Sequence, residues 1–575
     1  MKTLVNIFFG IRSIISQKHF NLMVLLFLFM VISVFLEILS LGSIPLFIGF
    51  ITNFDEYSLY LSRYVDIKNY SFSFIVYSLT GLLVFLFFLK NIFLLFIIYF
   101  ENNLVAKLKS DISQRLFSYY LNKPYDFFVG KNPSEITRNL VDEVTKCCQA
   151  ILLFLVFMRE FIVLIGIGIL AVTLKPLISI SISMYILLSA LIYIFIFRLK
   201  LMNWGKELMS QRKNLFKNVS ETISSIKEIK LLNNSSFFTS IFKNSVNKIE
   251  NISLKSQVIF KSTRSYFEII SISALFLIIY LSDLSENNIE NSLQIFAFVG
   301  VILVRFIPMF NILTQNFTNM KFLNPSFNLI KSEMFNLQTD KKKLFKQIFI
   351  KKFNSLEFKN ISYVINGKPI INNFSFKIDK NDKIGIVGTT GSGKTTLINL
   401  MLGLIKPNSG EIFINKKKID YEKESYFFGN LGFLSQEAFI IDDSIKNNVF
   451  LDTKPTKKIV KNFERLLRKF RLDNMIMGRK LSLDSNVGSS GIKISGGEKQ
   501  RILLIRMLIT NPNLIFIDEG TSALDKDTEL KVTDEIFSKN YQKTVIFISH
   551  KISSLKKCNK IFNLANNKLN ITNKV

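Results

Sequence analysis

The sequence has almost nothing from which to build a disulfide framework or a thiol–imidazole metal site. Its 575 residues include three cysteines, Cys147, Cys148 and Cys558, and two histidines, His19 and His550. That supply, without ligand spacing, excludes disulfide-stapled scaffolds and zinc modules, and the cysteines are expected to be inert. Acidic residues are short as well, 43 against 73 basic ones, for a formal charge of +30. An excess of that size attracts nucleic acid in some proteins. Here the chain is also 49% hydrophobic with 58 Phe, a Phe-, Ile-, Asn- and Lys-rich bias that genome base composition produces. Basic residues moreover gather on one side of a membrane for topological reasons, so no nucleic-acid partner is expected. No small-residue cleavage site follows a short apolar core near the start, so no cleaved signal peptide is expected. A mean hydropathy of +0.31 with 20% charged residues excludes both an ordinary soluble enzyme and a bare membrane bundle.

The apolar residues crowd into the first 320 positions. A spanning helix needs about 20 mostly apolar residues, and six stretches meet that length: 21–52, 72–100, 147–173, 176–197, 264–282 and 291–318. Residues 198–264 carry thirteen Lys/Arg against four Asp/Glu, whereas Asp283, Glu286 and Glu290 lie between the fifth and sixth stretches with no base. Basic loops face the cytoplasm, which predicts both termini and the segments 101–146 and 198–263 inside. Those two segments keep apolar residues at helical spacing and read as helices extending beyond the bilayer. Residues 3–17 predict a short amphipathic helix on the inner membrane surface, and His19 an interfacial residue. Membrane character ends near Lys341, Lys342 and Lys343, so the expected domains are 1–335, a polytopic α-helical membrane domain, and 336–575, an α/β nucleotide-binding domain.

Beyond that boundary LEFKNISYVI, INNFSFKI and KIGIVG read as short strands, the last running into G-x-x-x-x-G-K-T between a strand and an apolar helix. In Gly388, Thr389, Thr390, Gly391, Ser392, Gly393, Lys394, Thr395 and Thr396 the glycines let backbone N–H groups close around phosphates at a helix N-terminus. Lys394 supplies a point charge and the Thr395 hydroxyl a Mg²⁺ ligand. Gln436 comes later in LGFLSQ, placed to sense Mg²⁺ and the attacking water. ISGGE (Ile494–Glu498) is next, then LIFIDE, an apolar strand ending in Asp518 and Glu519. Two carboxylates there suit one Mg²⁺-positioning acid and one base for water. SALD (Ser522–Asp525) and VIFISH, ending in His550, complete the series. Singly each has a plain alternative: a loop glutamine, a turn, a helix cap, a strand-end histidine. Their order and spacing together point to a nucleotide-hydrolysing site.

Residues 353–570 resemble the nucleotide-binding domain of ABC transporters, and the six preceding spans resemble the exporter type with fused membrane and ATPase domains. The resemblance implies a half-transporter that dimerises, as a homodimer, with ATP and Mg²⁺ held between one P-loop and the other subunit's signature motif. Ser495, Gly496 and Gly497 would then face the partner's ATP, Glu519 act as general base and His550 stabilise the transferring phosphate. The signature reads ISGGE where LSGGQ is commoner, with SGG intact, and Ser489 stands where an acid is frequent. Gly520 stands where Ala is common, a change expected to be harmless. The aromatic residue that stacks on adenine in the family would be Tyr363, although the usual offset falls nearer Ile365; the alternative for Tyr363 is a packed strand residue.

Charges inside spans cost on the order of 3 kcal/mol each by insertion scales and mark substrate paths or internal pairs. Lys90, Arg264 and Arg305 are the candidates for a basic, water-filled cavity that binds an anionic headgroup. The alternative is pairing, Arg264 with Glu268 four residues on, and Lys90 or Arg305 with Glu37. LEILSLGSIPLFIGF (Leu36–Phe50), PYDFFVGKNPSEI (Pro124–Ile136) and LVRFIPMFN (Leu303–Asn311) are similar to bacterial lipid-linked oligosaccharide flippases. That similarity implies an anionic amphipathic substrate such as a polyprenyl-pyrophosphate glycan, membrane lipids as partners and a bacterial inner-membrane location. The competing substrates are a lipid A-like lipid, a peptide or a drug, and the competing activity is an ATP-gated channel or regulator that does not pump.

Overall fold

The computed structural model describes residues 2–52, 71–129, 131–174, 176–281, 289–342, 346–365, 367–421, 424–436, 439–451, 453–473, 476, 482–520, 524–537, 543–548, 555–565 and 568–573. They form two units, Met1–Lys123 with Gly130–Lys342, and Pro124–Val129 with Lys343–Val575.

The first unit is helical. Its long helices are Gln17–Thr52, Phe72–Leu121, Val144–Leu174, Pro176–Ser224, Ser235–Leu281 and Ile289–Lys342. Among the described residues four segments, Gln17–Ile44, Phe72–Leu121, Pro133–Thr173 and Ser179–Ser224, are long and apolar enough to cross a membrane. The expected stretches 264–282 and 291–318 fall on the last two helices, where most side chains from 277 to 304 lie outside the described residues. In Phe72–Leu121 only 6% of the apolar window is buried. Phe85, Phe88, Leu95 and Tyr99 all face outward, an arrangement stable only in an apolar solvent. The interior is packed by Val34, Ile167, Ile186, Phe267, Phe306 and Phe310. The polar segments predicted as helical extensions are helical, since Phe72–Leu121 and Pro176–Ser224 run on for about twenty residues or more past bilayer length. The amphipathic N-terminal helix is Lys2–Ile14, with Ile7, Ile11 and Ile14 buried at helical spacing and Phe8 and Phe9 exposed. The expected boundary at 335/336 is corrected, because the helix Ile289–Lys342 continues unbroken across it and the units part after Lys342.

The second unit contains twelve strands among its described residues: β1 Lys346–Ile350, β2 Ser355–Ile365, β3 Lys368–Asp379, β4 Lys383–Gly388, β5 Ser409–Ile414, β6 Lys417–Lys418, β7 Glu424–Phe428, β8 Leu431–Leu434, β9 Leu514–Asp518, β10 Thr544–Ile548, β11 Lys560–Ala565 and β12 Lys568–Asn573. A six-stranded sheet runs β12-β11-β4-β10-β9-β8, parallel except for β12, beside a four-stranded antiparallel sheet β3-β2-β5-β6. β9 and β10 are buried at every position, which is why they read as unbroken apolar runs instead of alternating ones. One core lies between the two sheets around helix Lys394–Met401. The other packs helices Lys457–Lys469, Gly496–Leu508 and Lys526–Phe537 on the opposite face. In register, Ile548 of β10 lies opposite Asp518 on one side and Ile386 on the other. Parallel pairing therefore brings the carboxyl ends of β4, β9 and β10 to one edge, the place where open α/β sheets bind ligands.

Candidate functional site

Two glycine conformations shape the loop after β4. Gly391 and Gly393 have φ of +80° and +93°, a region that L side chains rarely enter. A Cβ at Gly393 would also stand 3.0 Å from Ile370 Cγ2 on β3. The loop therefore needs glycine there to turn into helix Lys394–Met401. Lys394 is 9% exposed, and its Nζ donates to the carbonyls of Gly388 at 2.9 Å and Thr389 at 3.0 Å. The buried Ser392 Oγ has no hydrogen-bond partner. An orphaned hydroxyl beside a buried ammonium at a helix N-terminus matches the donor set of a phosphate cradle. The fit to a nucleotide phosphate rests on those groups.

Across the edge, Thr395 Oγ1 donates to Asp518 Oδ2 at 3.3 Å. Burial pushes the Asp518 carboxyl up, the neighbouring Glu519 adds to that, and the Thr395 bond and Lys394 oppose it. A hydroxyl and a buried carboxylate in contact are hard oxygen donors of the kind Mg²⁺ takes alongside phosphate oxygens and water. Glu519 lies one residue beyond β9 with φ +53°. Its N–H reaches the Ile548 carbonyl at 3.4 Å, and its Oε2 accepts from Gln436 Nε2 at 3.2 Å. The series Gln436, Lys394, Thr395, Asp518 and Glu519 is thus brought to one place from three segments. His550 lies outside the described residues, as does Ser522.

Ser495, Gly496 and Gly497 open a different helix, Gly496–Leu508, as a reciprocal cap. Ser495 Oγ accepts from Glu498 N at 3.3 Å while Glu498 Oε2 accepts from Ser495 N at 2.6 Å. This explains the glutamate in ISGGE, because either an acid or an amide at that position closes the box. No hydrogen bond or ion pair among the described residues joins Ser495–Gly497 to the loop Gly388–Thr396. Arg501 from the same helix donates to Asp525 at 2.7 Å. A bond from the Thr528 hydroxyl, and then Arg501, hold the Asp525 carboxyl down at about 2. Tyr363 on β2 lies opposite Ile371 and packs partly buried against the core between the sheets, whereas Ile365 is exposed.

The expectation that Gly520 is interchangeable with alanine is corrected. A Cβ at Gly520 would fall 2.4 Å from Leu434 Cγ and Cδ2, a contact no sequence pattern announces because it joins the turn after β9 to β8, far away along the chain.

In the helical unit, a cavity of about 260 Å³ is lined by Glu37, Lys90, Arg159, Glu160 and Arg305 together with apolar residues. Lys90 stands 3.4 Å from Glu37 Oε2, and Arg305 pairs with the other Glu37 oxygen. Arg159 donates to Glu101 at 2.7 Å and to Glu160 at 3.3 Å. Arg264, expected in this group, is not. Its side chain is 80% exposed and pairs with Glu268 on the same helix, because the i, i+4 spacing keeps both on an outer face. Arg159, which is not among the three candidates, lines the cavity in its place.

Residues 371–522 match the family described as ABC transporter, and residues 23–306 match the ABC transporter transmembrane region. A Rickettsia prowazekii (strain Madrid E) protein described as an export ATP-binding/permease protein is 27% identical over 480 residues, covering 80% of this chain and 79% of its own. The alpha-hemolysin translocation ATP-binding protein of Escherichia coli O157:H7 is 33% identical over 216 residues, 37% of this chain and 30% of that one. Among solved structures, a bacterial Atm1-family ABC exporter with ATP bound superposes with a TM-score of 0.75 at 17% identity, over 94% of this chain and 93% of its own.

Proposed function

The chain belongs to the ABC transporter family as an exporter half-transporter with fused membrane and ATP-binding domains, and from that premise we propose that it moves an anionic amphiphile, a lipid-linked pyrophosphate glycan or a close chemical relative, across a bacterial inner membrane. ATP hydrolysis coupled to export is the activity of the family. The fold is that of the ATP-bound exporter.

The loop Gly388–Thr396 binds the phosphates through its N–H groups, Ser392 Oγ and Lys394 Nζ. On substrate entry Lys394 exchanges two carbonyl partners for phosphate oxygens, a charge-assisted and therefore stronger pairing. Thr395 and Asp518, in contact at the edge of the loop, would hold Mg²⁺, which when bound would neutralise charge on the transferred phosphoryl group. Glu519, oriented by the Gln436 amide, accepts the proton of the attacking water, and His550 stabilises the transferring phosphate. Ser495 and Gly497 are separate from the loop in their own chain, which supports two copies arranged head to tail. In that arrangement Ser495 of the partner subunit faces the γ-phosphate. Family members of this half-transporter type generally act as dimers, and the homodimer is our reading.

The cargo rests on the cavity. Its walls bear Lys90, Arg159 and Arg305 beside Glu37 and Glu160, and Arg159 is already paired with Glu101 and Glu160, which leaves Lys90 and Arg305 with one carboxylate between them. Glu37 is the shared counter-ion of Lys90 and Arg305, so an incoming phosphate can displace one carboxylate and take both cations. Arginine forks match phosphate oxygens. In proteoliposomes with MgATP, leaflet exchange of a fluorescent lipid-pyrophosphate glycan tests this. Lys90→Ala and Arg305→Ala should slow exchange at least about ten-fold, the loss of one charge-assisted bond, while Arg264→Ala leaves it unchanged. Exchange untouched by the first two substitutions sinks the cavity reading.

A further inference from the structure

The turn after β9 carries more than a base. Glu519 sits in the left-handed region at φ +53°, a conformation held only when its surroundings over-determine it. The reversal brings residue 520 back over the end of β8, where Leu434 lies opposite Ile517 in the ladder. Leu434 is 2% exposed and belongs to the core with Ile517 and Ile440. A Cβ on residue 520 would meet its Cγ and Cδ2 at 2.4 Å and its Cβ at 3.4 Å. Rotation of a terminal methyl does not relieve a clash at Cγ, the branch point of the side chain, and a close-packed interior offers little room for it to move. Two residues past Leu434, the Gln436 amide donates to Glu519 Oε2 at 3.2 Å. The contacts close a ring: Glu519 to Gly520, Gly520 to Leu434, Leu434 along the backbone to Gln436, and Gln436 back to Glu519.

We propose that Gly520 is a positioning residue for Glu519, acting through Leu434: the absent side chain at 520 is the slot that seats Leu434 and thereby sets Gln436 against the carboxylate. The inference rests on the reading of Glu519 as the base. Alanine at 520 pushes Leu434, and with it Ser435 and Gln436, off the carboxylate. The phosphate loop, built on β3 and β4, is untouched, so nucleotide binding survives while turnover falls.

The test uses the full-length protein in lipid nanodiscs with MgATP and a fluorescent ATP analogue. Gly520→Ala should lower kcat about ten-fold or more, the scale of a misplacement below an ångström, with KM for ATP and analogue binding unchanged. Amide exchange over Leu431–Gln436 should quicken at the same time. Adding Leu434→Ala removes both clashing atoms and leaves only the ordinary 3.4 Å contact, so the double variant should recover turnover and exchange protection relative to Gly520→Ala alone. Should Gly520→Ala disturb assembly or melting, recovery in the double variant still supports the joint, and failure to recover overturns it. Wild-type turnover in Gly520→Ala overturns it too. If Glu519 is not the base, Glu519→Gln turns over normally and only the exchange readout responds to Gly520→Ala, which separates the two claims.

Discussion

Asp518 and Glu519 are adjacent carboxylates with the same chemistry in different surroundings. Asp518 ends a fully buried strand and meets a threonine hydroxyl. Glu519 has left the strand, is half-buried, and is met by an amide. In the mechanism proposed above the first stays with a cation and the second faces water, a division of roles that follows from where the strand ends. Glu519→Gln should therefore lower ATP turnover by at least about 100-fold, the usual worth of a positioned general base, while ATP binding is retained. Phosphate-release and equilibrium-binding measurements on one preparation check both halves. These residues were readable from the chain because two carboxylates after an apolar run have few plain explanations. Tyr363 was not so readable, because an aromatic residue on a half-buried strand satisfies either packing or stacking.

Helices Lys457–Lys469 and Lys526–Phe537 are held together by a compact charge cluster. Glu535, 4% exposed as a side chain, accepts from Arg465 at 2.6 Å and also pairs with Lys469. Burial works against its charge, but the bonds from Arg465 and Lys469 outweigh burial and hold the carboxyl at about 2, below its ordinary 4.5. A carboxylate whose folded value is depressed binds its proton less readily when folded, so its contribution to stability is complete above 4.5 and is lost as pH falls toward 2. Glu535→Gln should lower the melting temperature at pH 7, and the difference from wild type should narrow as acidification enters that window. Thermal melts at a series of pH values check it. In the helical unit, Glu37 ties three helices through Lys90 and Arg305. Glu37→Ala would leave two cations without their shared, buried partner, a loss of about 3–5 kcal/mol where such a pair is buried. It should show as reduced yield and a lower melting temperature in detergent, less marked for Glu37→Gln. Helices and strands of both kinds were legible in the chain, since period and apolar length are local properties. The expected domain boundary falls a few residues early, because the last long helix runs on to Lys342 as charge rises, and a helix can continue into water past the end of membrane contact.

For the whole molecule, the incomplete site has a direct consequence. The phosphate loop and the Ser495 cap are unconnected among the described residues of one chain, so the head-to-tail dimer proposed above predicts that hydrolysis needs two copies of the 66.4 kDa polypeptide. Native mass spectrometry of the purified protein should show the dimer, and mixing a Ser495→Arg variant with a Lys394→Ala variant, each inactive alone, should give heterodimers with one intact composite site and restored hydrolysis. A solitary chain that hydrolyses ATP at full rate would contradict the arrangement.

Order along the chain was enough to establish the kind of machine: hydrophobic length marks membrane helices, and a fixed series of short motifs marks phosphate chemistry, because both depend on residues within a few positions of each other. Contacts between distant segments needed the fold. The exchange of Arg264 for Arg159 in the charged cavity, the sharing of Glu37 by two cations and the seating of Leu434 against Gly520 all arise where separate helices or strands are pressed together. Close packing is sensitive to tenths of an ångström, and no spacing along a polypeptide carries that information.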